Sequence, residues 1–273
     1  MTRRLLTWTL FVGAITAYAF QMPFRVFPSL EPYDNVPVPD DWDVPAELVF
    51  GRLMYPSSPY ARFERWGGDW REGRTGWTVD YPRADRHVIV MLERLTRIDV
   101  RSVEQPVNPD DETDIFNWPW MYVDLPGNWD LSDEQAARIR EFLDRGGFLM
   151  ADNFWGQYEW EGFLDGISKI YPDRPILELG DDDKIFHTVF DLEHRFQIPG
   201  EWATRRGAMS RDGGIVPYWR AIYDDEGRVA VAISFNSDVG DSWEFADDPS
   251  YPEMYSALGM RIGANYVIYA MTH

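Results

Sequence analysis

Residues 118–155 restrict the fold more than any other stretch of this 273-residue chain. Residues 121–125 are a short apolar run of strand formers, and Ser132 with Gln135 three positions on has the capping-box arrangement that opens helices. Ala136, Ile139 and Leu143 then recur at helical spacing, and Gly146-Gly147 offers the left-handed C-cap at which a helix stops. Residues 148–151, FLMA, read as a second buried strand. Strand, helix and strand in so short a span make a βαβ unit, so the two strands should be parallel and joined by a right-handed crossover. Asp124 and Asp152 would then end adjacent or near-adjacent strands on one edge. In open α/β sheets that carboxyl edge is where ligands bind.

The flanking sequence extends this pattern. Residues 47–55, ELVFGRLMY, read as the first core strand. Residues 56–82 carry Pro and Gly among Tyr60, Phe63, Trp66, Trp70 and Trp77, and a loop of this length is usually functional or a cap over something apolar. Asp69 and Trp70 within it are candidate ligand contacts, with lid packing as the competing role. Asp85 is expected to cap a helix that places Val88, Met91, Leu92, Leu95 and Ile98 on one face, with residues 99–103 as the next strand. The acidic stretch 108–114, NPDDETD, lacks the spacing of a calcium-binding EF-hand loop and reads as solvated. Residues 161–171 suggest a helix closed by Pro172, and 175–179 a short strand. Residues 221–224 and 228–235 flank Asp225-Glu226-Gly227 as a β-hairpin, and 255–271 form a closing helix. The expected fold class is α/β, a three-layer doubly wound and mostly parallel sheet of the flavodoxin-like kind.

Composition narrows the function. A net charge of −20 argues against nucleic acid and anionic membranes as partners, because phosphate recognition needs a basic face. The chain has no cysteine, which excludes disulfides, thiolate metal sites and a thiol nucleophile. At the start, Arg3 and Arg4 precede an apolar run to Phe20, and Ala17-Tyr18-Ala19 fits the small-x-small pattern of a signal-peptidase site. Residues 1–20 are therefore expected to be a signal peptide or an N-terminal membrane anchor, 21–45 a Pro- and Asp-rich tether, and 46–273 a single α/β domain. The protein should be exported, either periplasmic or held in the inner membrane facing the periplasm, touching membrane only through residues 1–20 if they are not cleaved.

Candidate site residues follow from the strand ends. Asp124, Asp152, Asn153, Asn236, Asp238 and Asp241 would line one cleft, and clustered side-chain oxygens suit hard cations and sugar hydroxyls alike. Capping of helices and turns is the competing role for every one of them. His187 is added as a possible contributor from elsewhere. With Asp191 and His194 it would make a divalent-metal set if the segment were helical, but Phe186, Val189, Phe190 and Leu192 compete for the same faces. A capped turn with a satisfied histidine fits better, so no metal and no cofactor are expected.

Five pieces in order, RWGGDW (65–70), LSDEQAARIREFLDRGGFLMAD (131–152), KIFHTVFDL (184–192), SFNSDVGDSWE (234–244) and ALGMRIGANYVIYAMTH (257–273), resemble the bacterial domain-of-unknown-function family 4159 over about 46–273. The resemblance implies a fold similar to class I glutamine amidotransferases and no established activity. It also implies, by gene neighbourhood, protein partners in the envelope among AAA-type ATPase and von Willebrand factor A systems. Amidotransferases need a cysteine on the turn after a central strand, and here Asp152 and Asn153 stand after FLMA. The G-x-S-x-G string of serine hydrolases is absent too. Two functions remain: a non-catalytic binding or scaffold domain, and a carboxylate-dependent hydrolase acting on a glycan or similar polyhydroxyl ligand.

Overall fold

The βαβ unit forms as its sequence requires. β3 (Trp120–Asp124) and β4 (Phe148–Phe154) lie side by side in parallel, with Asp124 opposite Asp152 in the register. Between them α2 (Asp133–Asp144) opens on a reciprocal capping box, in which Gln135 N donates to Ser132 Oγ at 3.2 Å and Ser132 N donates to Gln135 Oε1 at 3.0 Å. Gly146, at φ +100°, turns the chain out of the helix. The computed structural model describes residues 24–31, 36–61 and 68–273. The expected signal peptide or anchor, and Phe63 and Trp66 of the long loop, lie outside the described residues.

Three more strands continue this parallel arrangement and two antiparallel strands extend it. β1 (Gly51–Leu53) pairs with β2 (Gln105–Val107) on one side and β3 on the other, and β4 pairs with β7 (Val229–Phe235). β6 (Tyr218–Tyr223) returns antiparallel to β7, and β5 (Leu177–Glu178) ends the sheet antiparallel to β6. The order β2-β1-β3-β4-β7-β6-β5 reverses direction of winding between β1 and β3, as in flavodoxin-like sheets. The molecule is thus α/β, with a seven-stranded, mostly parallel sheet consistent with a three-layer flavodoxin-like fold.

Strand alternation divides the core in two. Trp120, Tyr122, Phe148 and Met150 face one layer with α1 (Arg83–Leu95), α5 (Val239–Glu244) and α6 (Glu253–Thr272). Met121, Val123, Leu149 and Ala151 face the other with α2 and α3 (Gly156–Ile170). Each fully buried large side chain contributes about 1.5–3 kcal/mol, which is what fixes register against a one-residue slip. By the same parity Asp124 and Asp152 fall on the side of Tyr122 and Met150, toward α1, α5 and α6.

Several boundaries differ from expectation. Asp85 does not cap α1, which starts at Arg83 after Pro82. It lies fully buried in the first turn, where both its oxygens accept bonds from Arg52 at 2.8 Å. The second strand is β2, at 105–107 rather than 99–103; the earlier residues make a single bridge, Leu48 to Val100, and Arg101 folds back onto the carbonyl of Val103. α3 begins at Gly156, five residues before the expected start, because Glu159 reaches back to accept from Trp155 N at 2.7 Å and supplies the missing cap. Part of the Pro-rich stretch runs along the domain. Leu30 N donates to Thr78 O at 3.2 Å, Phe27 packs edge-on against Trp77, and Glu31 accepts from Asp80 N at 2.9 Å. Among the described residues no helix is long and apolar enough to cross a membrane.

Candidate ligand-binding cleft

Three parallel strands end in the same unusual backbone conformation. Leu125 after β3, Asn153 within the bulged end of β4 and Asn236 after β7 have φ of 49°, 59° and 61°. Asp80, in the loop that feeds α1, has φ 60°. Left-handed residues other than glycine cost about 1 kcal/mol or more each and gather where a site requires them. Leu125, Asn153 and Asp80 are among the residues that line a cavity of about 260 Å³ at the carboxyl edge. Asp80, Asn153, Asp238, Asp241 and Arg211 line it, Trp155 and Trp202 form apolar walls, and Glu31 closes it from the N-terminal segment.

The floor is a crowd of carboxylates. Asp238 caps α5 and accepts from Asp241 N at 3.0 Å. Asp152 accepts from Gly240 N at 2.8 Å and from the Tyr122 hydroxyl at 3.1 Å. Asp80, Asp241 and Glu244 each bring one carboxylate oxygen to within 4.8 Å of the other two. The backbone comes so close that a Cβ on Gly240 would stand 2.4 Å from Asp80 Oδ2, and one on Gly200 would stand 2.8 Å from Asp238 Oδ2. Only glycine permits both approaches.

Positive charge at this edge is already engaged. Arg52, fully buried, forms its bidentate pair with Asp85, donates to the carbonyls of Trp77 and Val79, and comes no nearer than 3.7 Å to Asp124. Arg211 donates to Glu159 at 2.6 Å and to Asn153 O at 3.2 Å. Both oxygens of Asp124, with Asp80 Oδ2 and Asp152 Oδ1, are buried without a hydrogen-bond donor. Leaving such acceptors unpaired costs about 1–3 kcal/mol apiece.

Burial and mutual repulsion therefore favour the neutral acids. Asp80 is pushed well above the usual carboxylate range, first by burial and then by Asp124, Asp241 and Glu244. Asp124 and Asp238 are raised in the same way, with Arg52 holding Asp124 down in part. Asp152 rises to about 7 through burial, opposed by its bonds from Gly240 and Tyr122. Asp241 rises to about 6, and Glu31, again through burial, to about 7. Such a site can bind a cation, share protons, or donate and accept bonds with hydroxyl groups.

The residues singled out from sequence occupy five kinds of place. Asn153, Asp238 and Asp241 line the cavity, while Asp124 and Asp152 lie fully buried beneath it. Asn236 clamps loops, accepting from Gly156 N and donating to Val216 O. Asp69 caps the turn Trp70–Glu72, and Trp70 is buried with its carbonyl accepting from the Trp77 indole, so both serve lid packing. His187 sits in a non-helical turn, its ring held between Asp191 Oδ1 and Asp181 O at 2.9 and 2.8 Å, and takes no part in lining the cavity. Sequence reasoning missed Glu31, Asp80, Trp155, Trp202, Arg211 and Glu244. Only Glu244 left a signal, since it lies three residues after Asp241 and hence on the same helical face.

A family model described as Domain of unknown function (DUF4159) matches residues 69–271, about three quarters of the chain. No curated protein matches it.

Proposed function

This chain belongs to the family Domain of unknown function (DUF4159), and from that premise we propose that it is a non-catalytic binding domain whose cleft takes a cationic or polyhydroxyl ligand. The observation that carries the proposal is the excess of buried carboxylate at the carboxyl edge, with Arg52 and Arg211 committed to Asp85 and Glu159. A protein that retains so costly an arrangement gains something when a ligand satisfies it. Trp155 and Trp202 beside these acids fit a ligand with one flat or aliphatic face and one positive or hydroxylated face. The missing cysteine supports a catalytically silent relative of the amidotransferase fold, with Asp152 and Asn153 where the nucleophile would stand.

The same proposal places the domain in the bacterial envelope, exported or tethered. Arg3, Arg4 and the apolar run before Ala17-Tyr18-Ala19 support it. Docking to AAA-type ATPase or von Willebrand factor A proteins is the corresponding proposal for partners. A second reading, a carboxylate-dependent hydrolase, draws support from Asp152, whose pKa of about 7 suits proton transfer at neutral pH.

Thermal shift of the purified protein against divalent cations, amines, sugars and peptidoglycan fragments tests the binding reading. A ligand that binds only the folded state raises Tm by mass action, and that gain should vanish in Asp238→Asn. Silence from every probe would overturn it. Hydrolysis of a glycan probe, lost in a folded Asp152→Asn variant, would replace it with the hydrolase reading.

A further inference from the structure

We propose that Asp80, Asp241 and Glu244 form a binding site for a hard divalent cation. The inference rests on the reading of the cleft as a ligand site and specifies its chemistry. Two observations independent of each other carry it. The first is geometric: one oxygen from each of the three carboxylates lies within 4.8 Å of the other two. Oxygens that share a calcium ion at about 2.3–2.6 Å or a magnesium ion at about 2.0–2.1 Å both fall inside such a span. The second is the orphaned Asp80 Oδ2, in a residue 1% exposed that lines the cavity and finds no donor.

The chain delivers these groups from two directions. Asp241 and Glu244 are three apart on α5, so one helical face presents both. Asp80 comes from the loop before α1, held in its left-handed conformation. Gly240, on the turn between them, leaves room that any side chain would fill at 2.4 Å from Asp80 Oδ2. Glu31 accepts from Asp80 N and also lines the cavity. All donors are oxygen, which selects calcium, magnesium or manganese over zinc and copper. Three protein carboxylates leave positions open on a six- to eight-coordinate ion, and Asp80 and Asp241 both line the cavity. A ligand hydroxyl or carboxylate would complete the shell there. The ion would thus both neutralise the floor and present a positive centre to the ligand.

The test uses the full chain, stripped with chelator and titrated with Ca²⁺, Mg²⁺ and Mn²⁺ by calorimetry and thermal shift, with Mn²⁺ counted by electron paramagnetic resonance. The expected result is one Mn²⁺ per chain, a Tm raised by the divalent cations, and affinity weakened about tenfold or more in Asp241→Asn and in Glu244→Gln. Removing one charge from this crowd relieves repulsion, so the metal-free variants should melt no lower than the parent. Should either misfold, broadening of the Gly240 amide resonance by Mn²⁺ in the unaltered protein reads the same site. No binding at millimolar cation, or equal binding by both folded variants, overturns the proposal. A sugar or amine that stabilises the protein in chelator, and fails to in Asp238→Asn, overturns the cation while leaving the cleft as a ligand site. If neither cations nor those ligands act, both readings fall together.

Discussion

Two acidic regions of this molecule look alike in composition and differ in how their acids are satisfied. The loop at 108–114 is contiguous in sequence; Asp110 and Asp111 find donors, and Asp114, raised to about 6 by burial, accepts from the Trp118 indole. Asp111 accepts from Thr113 N and Asp114 N, which holds its pKa below the usual range, while Asp110 takes bonds from Arg71 and from Gln135 at 2.7 Å. The carboxyl-edge cluster is assembled from four separate segments, and several of its oxygens have no donor. Acids dense along the chain thus find hydrogen-bond donors, whereas convergence of acids from distant strands leaves oxygens without them. The fold creates the repulsion that the sequence does not display.

Ways to break this contrast range from large to small. Arg52→Met should have the largest effect, because it leaves Asp85 and Asp124 buried without their cation. A loss of about 3–5 kcal/mol in urea unfolding is expected. A loss of less than about 1 kcal/mol would show that the floor does not depend on it. Opposite signs are expected next from one change made in each region. At pH 8 Asp80→Asn should raise the stability of the cation-free protein, since burial and then Asp124, Asp241 and Glu244 disfavour its charged form. Asp111→Asn should lower it by about 0.5 kcal/mol by weakening charge-assisted bonds. Equal signs in the two denaturation curves would abolish the distinction.

The pH dependence sharpens the contrast further. Asp85 and Asp152 have folded pKa values of about 6 and about 7, above their ordinary 3.8, so the folded state binds their protons more tightly. Their contribution to stability is complete below about pH 4 and is lost as pH rises through 6 and then 7, at about 1.4 kcal/mol per pH unit for each group while it titrates. Asp111, with a lowered pKa, acts oppositely and loses its contribution as the solution is acidified. In chelator, Tm should therefore fall between pH 5 and pH 8, and a flat or rising profile would contradict the assigned shifts. The smallest effect belongs to His187→Ala. That ring bonds only within its own exposed turn, so stability and ligand response should change by less than about 0.5 kcal/mol.

Local patterns were legible and distant encounters were not. The capping box at Ser132, the hairpin around Gly227 and the parallel pairing of Asp124 with Asp152 follow from spacing alone. β2 and β5 were harder, since edge strands of three and two residues carry too little alternation to fix their bounds. At the site, Asp152, Asn153, Asp238 and Asp241 could be found because strand ends are predictable in an α/β sheet. Asp80 could not. It sits in a long loop rich in tryptophan, and nothing nearby announces that this loop returns over α5. Glu31 was hidden for the same reason, in a stretch whose prolines suggested only an extended path.

The position of β1 has a consequence for how this protein can be divided. Recognisable family similarity begins at residue 69, yet residues 51–53 lie in the sheet between β2 and β3, and Arg52 anchors Asp85 beneath the cleft. A fragment trimmed to the matched region would begin downstream of an interior strand, exposing the facing edges of β2 and β3 and stranding a buried acid. The stretch over which kinship is detectable is shorter than the stretch that folds. Anyone cutting this chain for expression, fusion or domain exchange should cut upstream of residue 24, ahead of Glu31 as well as β1.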